Sequence, residues 1–255
     1  MKKLWNSLVL AFAMYSSVPV PRADWEKENM RFVLCCFPLV GAVLGMLTYG
    51  WSIVCIYLPV GQLLRTAIYV LLPVLVTGGI HLDGFLDTCD ALHSYAPRER
   101  KLEILKDPRA GAFAVICGIS LFVLNFGLWS QLSMQGVRSL SMGFVISRCL
   151  SGWSVAIFPC AKDTGLAATF QDAAHRHVVG AACSVELLVA ACFAFYVEPA
   201  GAACMLAAAL AALLWYYFMS RRQFGGITGD LAGWFLQVCE CLMAAAVVAG
   251  DMIWF

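Results

Sequence analysis

Charged residues are scarce in this chain of 255 residues: they make up 13% of it, whereas 62% of the residues are apolar and the mean hydropathy is +0.80. An ordinary soluble domain has about 25% charged and about 45–50% apolar residues. So few polar groups cannot cover the surface of a water-soluble core of this size. The composition excludes a soluble domain, a disordered chain, a coiled coil and a secreted disulfide scaffold, and it predicts a polytopic membrane protein.

Other absences narrow the function. The formal net charge is +1, so the basic surplus that phosphate-backbone binding needs is missing and nucleic acid is not an expected partner. The twelve cysteines contain no Cys-x-x-Cys pair and lie mostly in apolar stretches, which indicates small packing residues. No internal repeat and no low-complexity linker interrupts the chain, so residues 1–255 are expected to form a single domain.

Seven apolar stretches are long enough to cross a bilayer core of about 30 Å as helices, which predicts an all-α membrane fold. They are residues 32–58, 66–82, 112–132, 140–160, 178–197, 202–219 and 231–253. The shorter stretch 4–20 is expected to be re-entrant or interfacial. Because it lacks a small-x-small cleavage site, we expect it to remain in the mature protein.

The basic residues predict the orientation. With seven crossings, all Lys and Arg residues except Arg65, Arg138 and Arg148 fall on one side, which the positive-inside rule makes cytoplasmic. The loops predicted on that side are long (83–111, 161–177 and 220–230), and those on the opposite side are short (59–65, 133–139 and 198–201). Any chemistry is therefore expected at the cytoplasmic face.

Three aspartates in segment 77–90 are the strongest functional signal. Asp83, Asp87 and Asp90 are spaced i, i+4 and i+7, so on a helix they share one face. Like charges beside hydrocarbon are costly, and a divalent cation is the usual compensation. Carboxylate oxygens favour magnesium, manganese or calcium over zinc. The alternative is a solvated helix end without a metal.

A second cluster follows in segment 98–109. Glu103 and Asp107 are again spaced i, i+4, with Lys106 and Arg109 beside them. Acids for a metal and bases for phosphate oxygens in one loop suit a phosphoryl-transfer site. An amphipathic helix held to anionic lipid by its basic residues is an equally good interpretation.

A glycine-rich turn, residues 225–230, precedes the last span. Its backbone N–H groups can cradle an anion, and Asp230 can join a metal shell.

Two further residues invite interpretation. Arg148 lies within a span, where an arginine normally pairs with an acid; Glu186 and Glu240 are the candidates. A structural ion pair and a contact to a ligand phosphate both fit Arg148. His81 is better interpreted as a hydrogen-bonding residue at a helix end than as a ligand.

Several of these segments together resemble a known family. The run GGIHLDGFLDTCD at 78–90 is similar to the signature of the adenosylcobinamide-GDP ribazoletransferases, the membrane-bound cobalamin (5′-phosphate) synthases. Further matches are VPVP at 18–21, FPLVG at 37–41, LEILKDPRAG at 102–111, Ser147-Arg148 and GGITGD at 225–230. Ala91 and the pair Phe85-Leu86 depart from the pattern, but neither change removes a candidate ligand.

This resemblance implies an enzyme of the bacterial inner membrane. It would join adenosylcobinamide-GDP to α-ribazole or α-ribazole 5′-phosphate with Mg²⁺ as cofactor and release GMP; a homo-oligomer is compatible with it. The catalytic and metal-binding residues would be Asp83, Asp87 and Asp90, with Asp107 or Asp230 completing the metal shell. The residues assigned to substrate are Lys106, Arg109, Thr228, Arg148 and His81. Any of the acids can be the base that accepts the hydroxyl proton.

Two other functions share some of these sequence features. A CDP-alcohol phosphotransferase also uses aspartates at membrane helix ends, but its pattern requires an acid where Ile80 stands and Ala-Arg where Asp87-Thr88 stands. A corrinoid or small-molecule transporter would place ionisable groups near the bilayer midplane. Arg148, Glu186 and Glu240 support that alternative, whereas the concentration of acids at one face opposes it.

Overall fold

The computed structural model describes residues 2–22, 25–162 and 164–254. These residues form twelve α-helices and no strand. The helices are α1 (Lys2–Tyr15), α2 (Lys27–Met30), α3 (Val33–Tyr57), α4 (Gln62–Thr77), α5 (Ile80–His93), α6 (Arg98–Ile104), α7 (Ala112–Gln131), α8 (Met134–Ile157), α9 (Leu166–Ala173), α10 (Arg176–Val197), α11 (Pro199–Phe224) and α12 (Gly229–Trp254).

The number of crossings agrees with the sequence prediction. Six helices, α3, α7, α8, α10, α11 and α12, are long and apolar enough to span a membrane, and the bent pair α4 and α5 makes a seventh when counted as one span. Helix α1 has 14 residues, about 21 Å at 1.5 Å per residue, and is too short to cross the bilayer core. This length is consistent with the expected re-entrant or interfacial segment.

The predicted straight span at 66–82 is wrong in detail. Helix α4 ends at Thr77, and α5 starts at Ile80 after a bend of 95°. Gly78 and Gly79 both have left-handed backbone conformations, with φ of 64° and 79°, which end an α-helix at little cost for glycine. Ser17, just after α1, donates from its backbone N–H to the carbonyl of Val76 (2.8 Å) at this end of α4.

The long loops predicted at one end of the bundle are largely helical. Helices α5 and α6 occupy much of 83–111, α9 occupies part of 161–177, and α11 continues to Phe224 before a left-handed Gly225 ends it. Hydropathy marks where a helix leaves the apolar region, and this need not be where the helix ends. We call the end of the bundle that carries α5, α6, α9 and the start of α12 the basic end.

Helix α8 lies at the centre of the bundle, packed on α3, α10 and α12. Two glycines of α3 allow the close approach: a Cβ at Gly41 would lie 2.3 Å from the carbonyl oxygen of Phe144, and one at Gly45 would lie 2.3 Å from that of Ser141. Small residues are the usual means of close helix contact in membranes. All twelve cysteines are free, which agrees with the packing role predicted for them.

Candidate active site

A cavity of about 290 Å³ opens at the basic end. Its lining comes from helices α5, α6, α9 and α12, from the segment before α9, and from residues of α1, α3 and α8. Charged side chains enter the lining from α5, from α12 and from the segments that follow α6 and α8, and Tyr15, Phe37 and Phe170 contribute aromatic surface. The bundle therefore has a partly enclosed site where the sequence predicts chemistry.

Two acids line this cavity. Asp83 is exposed and Asp230 is half-buried. Glycine at position 84 brings their helices together, because a Cβ there would lie 2.7 Å from the backbone oxygen of Asp230. The two acids therefore lie at one helix contact, and the metal-binding role of Asp230 stays a prediction.

The α5 acids share one helix, as the spacing predicts. Asp87 lies close enough to Asp83 and Asp230 for their negative charges to act on it, and Asp90 acts on it as well. The carboxylate of Asp87 is therefore repelled by three other carboxylates at the junction of α5 and α12.

Asp90 has a structural task at this junction. Its carboxylate accepts hydrogen bonds from the backbone N–H groups of Gly111 and Ala114, the latter at 2.8 Å, and so caps the start of α7. A Cβ at Gly111 would lie 2.7 Å from both carboxylate oxygens of Asp90. These bonds occupy lone pairs that a metal ligand would need, and a metal-binding role for Asp90 remains a prediction.

Two lysines face the same cavity. Lys106 follows α6, and Lys162 lies between α8 and α9, where its ammonium donates to the carbonyl oxygen of Leu102 at 3.4 Å. Partial desolvation and the neighbouring Lys106 ammonium lower the pKa of Lys162. Lys162 is not among the site residues predicted from the sequence, because it belongs to no motif.

The second acid cluster differs from its prediction. Helix α6 ends at Ile104, so Glu103 and Asp107 do not share a helical face. Glu103 pairs with Arg100 at 2.8 Å, and the guanidinium of Arg109 donates two hydrogen bonds to Asp107, at 2.9 and 2.8 Å. The guanidinium of Arg109 lowers the pKa of Asp107 to about 2. Asp107 and Arg109 therefore pair with each other, and neither residue lines the cavity.

The glycine-rich turn lies beside the acids, as expected. Ile227 donates to the carbonyl oxygen of Pro159 at 2.9 Å and accepts from the N–H of Ala161 at 2.9 Å. Glycine is needed at position 226 beside this pairing, because a Cβ there would lie 2.4 Å from the carbonyl oxygen of Pro159. The hydroxyl of Thr228 accepts from the N–H of Leu231 and caps α12, whose N-terminus faces the cavity.

His81 lies deeper in the cavity. It is buried, and its Nε2 has no hydrogen-bond partner within the described residues. Its ring contacts those of Tyr15 and Phe37, with centroids 6.0 and 5.7 Å away. The preferred interpretation, a hydrogen bond at the helix end, is therefore not seen for Nε2, and a substrate contact remains a prediction.

Arg148 forms the structural ion pair that the sequence allowed. Its side chain is 1% exposed and pairs with Glu240, while Ser147 donates to the same carboxylate oxygen at 2.9 Å. Glu186, the other candidate partner, instead lies near Cys35 and Cys183. Arg148 does not line the cavity described above. A contact between Arg148 and a substrate phosphate has no support in this arrangement.

The donor atoms of the site suit a hard cation. Across 2–22, 25–162 and 164–254, no three His, Cys, Asp or Glu side chains converge tightly enough to hold a metal by themselves. Mg²⁺, however, is commonly held by one or two carboxylates together with substrate phosphates. Asp83 and Asp230 in one cavity fit that mode of binding.

Comparison with known proteins gives a consistent family. A family model described as cobalamin-5-phosphate synthase matches residues 7–248. The adenosylcobinamide-GDP ribazoletransferase of Lachnoclostridium phytofermentans is 42% identical over 98% of this chain and 95% of its own. The protein of that name from Geobacillus kaustophilus is 31% identical over 95% of this chain and 95% of its own. The one from Clostridium botulinum is 30% identical over 94% of this chain and 96% of its own. No solved structure matches the chain significantly. The chain therefore belongs to the cobalamin-5-phosphate synthase family.

Proposed function

We propose that this chain joins adenosylcobinamide-GDP to α-ribazole or α-ribazole 5′-phosphate and releases GMP. Relatives that match nearly the whole chain are named for ribazole transfer from adenosylcobinamide-GDP. The observation that carries the proposal is a cavity with two acids, two lysines and a helix N-terminus at one end of a membrane bundle. These are the groups that a diphosphate-cleaving transferase needs.

The proposed reaction is a substitution at phosphorus. A ribose hydroxyl oxygen of the acceptor forms a bond to the phosphorus that carries cobinamide. The bond from this phosphorus to the bridging oxygen breaks, and that oxygen leaves with GMP. A carboxylate accepts the hydroxyl proton. Asp83 is the exposed acid of the cavity and is our first candidate for this step.

Several groups of the chain would bind the diphosphate. The N-terminus of α12 directs its positive dipole end, capped by Thr228, toward the cavity and so attracts anions. Asp83 and Asp230 would hold Mg²⁺, which when bound neutralises diphosphate charge. Asp87 would add to the negative field that attracts the cation.

We also propose that the basic end faces the cytoplasm of a bacterial inner membrane. Arg98, Arg100 and Arg109 lie at this end together with the two cavity lysines, and basic residues favour the cytoplasmic side. The water-soluble substrates would then reach the cavity from the cytoplasm, while the corrinoid ring can lie against the bundle.

The test uses the full chain purified in detergent, mixed with adenosylcobinamide-GDP, α-ribazole and Mg²⁺, with GMP measured as product. We expect Asp83→Asn to lower GMP release by at least about 100-fold, because it removes a proton acceptor and an anionic ligand. Asp251→Asn, the same chemical change at the opposite end of the bundle, should retain wild-type release. Full turnover by Asp83→Asn at several magnesium concentrations would contradict the assignment.

Removing the metal tests the cofactor separately. We expect a chelator to abolish GMP release and added Mg²⁺ to restore it, because two carboxylates facing a diphosphate need a cation between them. Undiminished release in excess chelator would remove the metal from the proposal and leave the family assignment untouched.

A further inference from the structure

We propose that four aromatic side chains of the cavity lining bind the base of the acceptor, and that His81 recognises the free ring nitrogen of this base with its Nε2–H group. This inference rests on the proposed function and adds a specificity-determining residue to it. Two features carry the argument: a cluster of rings within the lining, and a buried imidazole nitrogen without a partner.

The aromatic cluster consists of the rings of Tyr15, Phe37, Phe170 and His81, which all line the cavity. The centroid of the Tyr15 ring lies 4.2 Å from that of Phe37 and 6.0 Å from that of His81. It lies 6.5 Å from the centroid of Phe170. Rings at such distances are in ordinary aromatic contact, and a planar base can stack on the surface that they form.

Nε2 of His81 is an unpartnered polar atom within this cluster. The side chain is 4% exposed, and Nε2 has no hydrogen-bond partner within the described residues. Helix α12 packs against the residue, since a Cβ at Gly233 would lie 3.0 Å from the carbonyl oxygen of His81. A buried N–H group without a partner is costly, and a ligand that accepts its hydrogen bond removes this cost.

Tyr15 is the ring that can admit a ligand to this nitrogen. It is half-buried, whereas the other three residues of the aromatic cluster are buried. It is the last residue of α1, and its ring stacks on that of His81 with an interplanar angle of 26°. Rotation of the Tyr15 side chain would therefore let a base take its place beside Nε2.

The base of α-ribazole matches this site. It is a dimethylbenzimidazole, an apolar bicyclic ring whose single hydrogen-bonding atom is the ring nitrogen that is not bound to ribose. This nitrogen accepts one hydrogen bond, and Nε2–H of a neutral imidazole donates one. The guanine of the donor fits poorly, because it carries several donors and acceptors that the aromatic cluster would leave unpaired. The site therefore favours the acceptor's base over the donor's.

The position of the aromatic cluster also suits the proposed reaction. His81 precedes Asp83 by two residues, about 3 Å along the axis of α5, and both residues line the cavity. A nucleoside that stacks its base on the cluster can therefore direct a ribose hydroxyl to Asp83, the first candidate for the proton acceptor.

The experiment compares α-ribazole with an analogue in which a C–H group replaces the free ring nitrogen, in the GMP-release assay. For the wild type we expect a kcat/KM for α-ribazole at least about 10-fold above that for the analogue, because the analogue leaves Nε2–H unpaired. His81→Phe keeps a ring in the cluster and removes the donor, so the ratio should fall to about 1 or below. His81→Gln retains an N–H donor and should keep part of the preference.

His93→Phe is the matched control, since it makes the same change on the same helix. Nδ1 of His93 hydrogen-bonds to the carbonyl oxygen of Cys89 at 2.8 Å, its ring stacks on Phe113, and it does not line the cavity. We expect this variant to leave the ratio within about 2-fold of the wild type, because distant sites act independently. An equal fall in the ratio would overturn the assignment to His81 in favour of a general disturbance of α5.

Other outcomes are equally decisive. Equal kcat/KM values of the wild type for the two acceptors would overturn the proposal, and this comparison needs no variant, so it decides the question even if His81→Phe does not fold. A higher KM for adenosylcobinamide-GDP in His81→Phe, with the acceptor ratio unchanged, would assign the cluster to the guanine and refute the proposal. No GMP from the wild type with α-ribazole or its 5′-phosphate would instead refute the proposed function itself.

Discussion

Replacing Gly84 by alanine should inactivate the protein without unfolding it. The added Cβ would lie 2.7 Å from the backbone oxygen of Asp230 and 2.9 Å from its Cα. Carbon contacts are optimal at about 3.5–4.0 Å, so α5 and the start of α12 must separate by roughly 0.8 Å or more. Because both neighbouring atoms are backbone, no side-chain rotation can relieve the clash. The separation falls between Asp83 and Asp230, the two acids of the cavity.

The expected free energies separate activity from stability. Overpacking costs about 1–3 kcal/mol, and alanine returns about 0.5–1 kcal/mol within a helix. The net loss of stability is therefore at most about 2–3 kcal/mol, and Gly84→Ala should still purify as a folded protein. Activity is more sensitive, because a displacement of about 1 Å in a positioned site can cost about 100-fold in rate. We expect GMP release to fall by that factor, with a higher magnesium requirement.

Gly127→Ala provides the control for the change itself. Gly127 lies in α7, and a Cβ there would have no neighbour within 4 Å. This variant should retain wild-type GMP release and a thermal midpoint equal to or slightly above that of the wild type. Wild-type kcat and magnesium dependence in Gly84→Ala would refute the idea that the α5–α12 contact sets the geometry of the acids.

Three further predictions concern individual contacts. Arg148→Met should lower the free energy of unfolding by about 3–5 kcal/mol, because it leaves the Glu240 carboxylate without its partner near the core. Adding Glu240→Leu should restore much of the lost stability. An unchanged thermal midpoint in Arg148→Met would contradict this prediction. Asp90→Ala should destabilise the start of α7 by about 1–2 kcal/mol and speed hydrogen exchange of its first amides, whereas unchanged exchange would argue against the cap. The ion pair of Asp107 and Arg109 should persist as the pH falls until about pH 2, because Arg109 lowers the pKa of Asp107. In Arg109→Met, the pKa of the Asp107 carboxyl measured by NMR titration should rise toward about 3.9.

The sequence was sufficient for features that depend on local spacing. The lengths of the apolar stretches predicted six of the seven spans, and most of the predicted ends lie within a few residues of the observed ones. The i, i+4, i+7 pattern predicted that Asp83, Asp87 and Asp90 share one helix. It was insufficient where adjacent glycines mattered. Gly78 and Gly79 lie within the straight span predicted at 66–82, but their left-handed conformations end α4 and turn the chain by 95°.

Contacts between distant segments were beyond sequence reasoning. Asp90 caps a helix whose first N–H partner is 21 residues away, so its structural role leaves no local pattern. Lys162 joins the cavity because Ile227 pairs with the backbone of Pro159 and Ala161 and holds the segment before α9 in place. A single lysine between two spans carries no signal of that contact.

The charged groups discussed above are of two kinds: those in the core pair with each other, and those at the basic end face the cavity. In the core, Arg148 and Glu240 neutralise each other and Ser147 bonds to the shared carboxylate oxygen, so no ligand is needed to stabilise them. At the basic end, the charges of Lys106 and Lys162 lie side by side, and those of Asp83 and Asp230 face the same cavity, with like charges adjacent in each set. Such an arrangement stores electrostatic repulsion that a bound anion relieves on one side and a bound cation on the other. This arrangement is consistent with the proposed function, in which a cation and a diphosphate would be bound side by side.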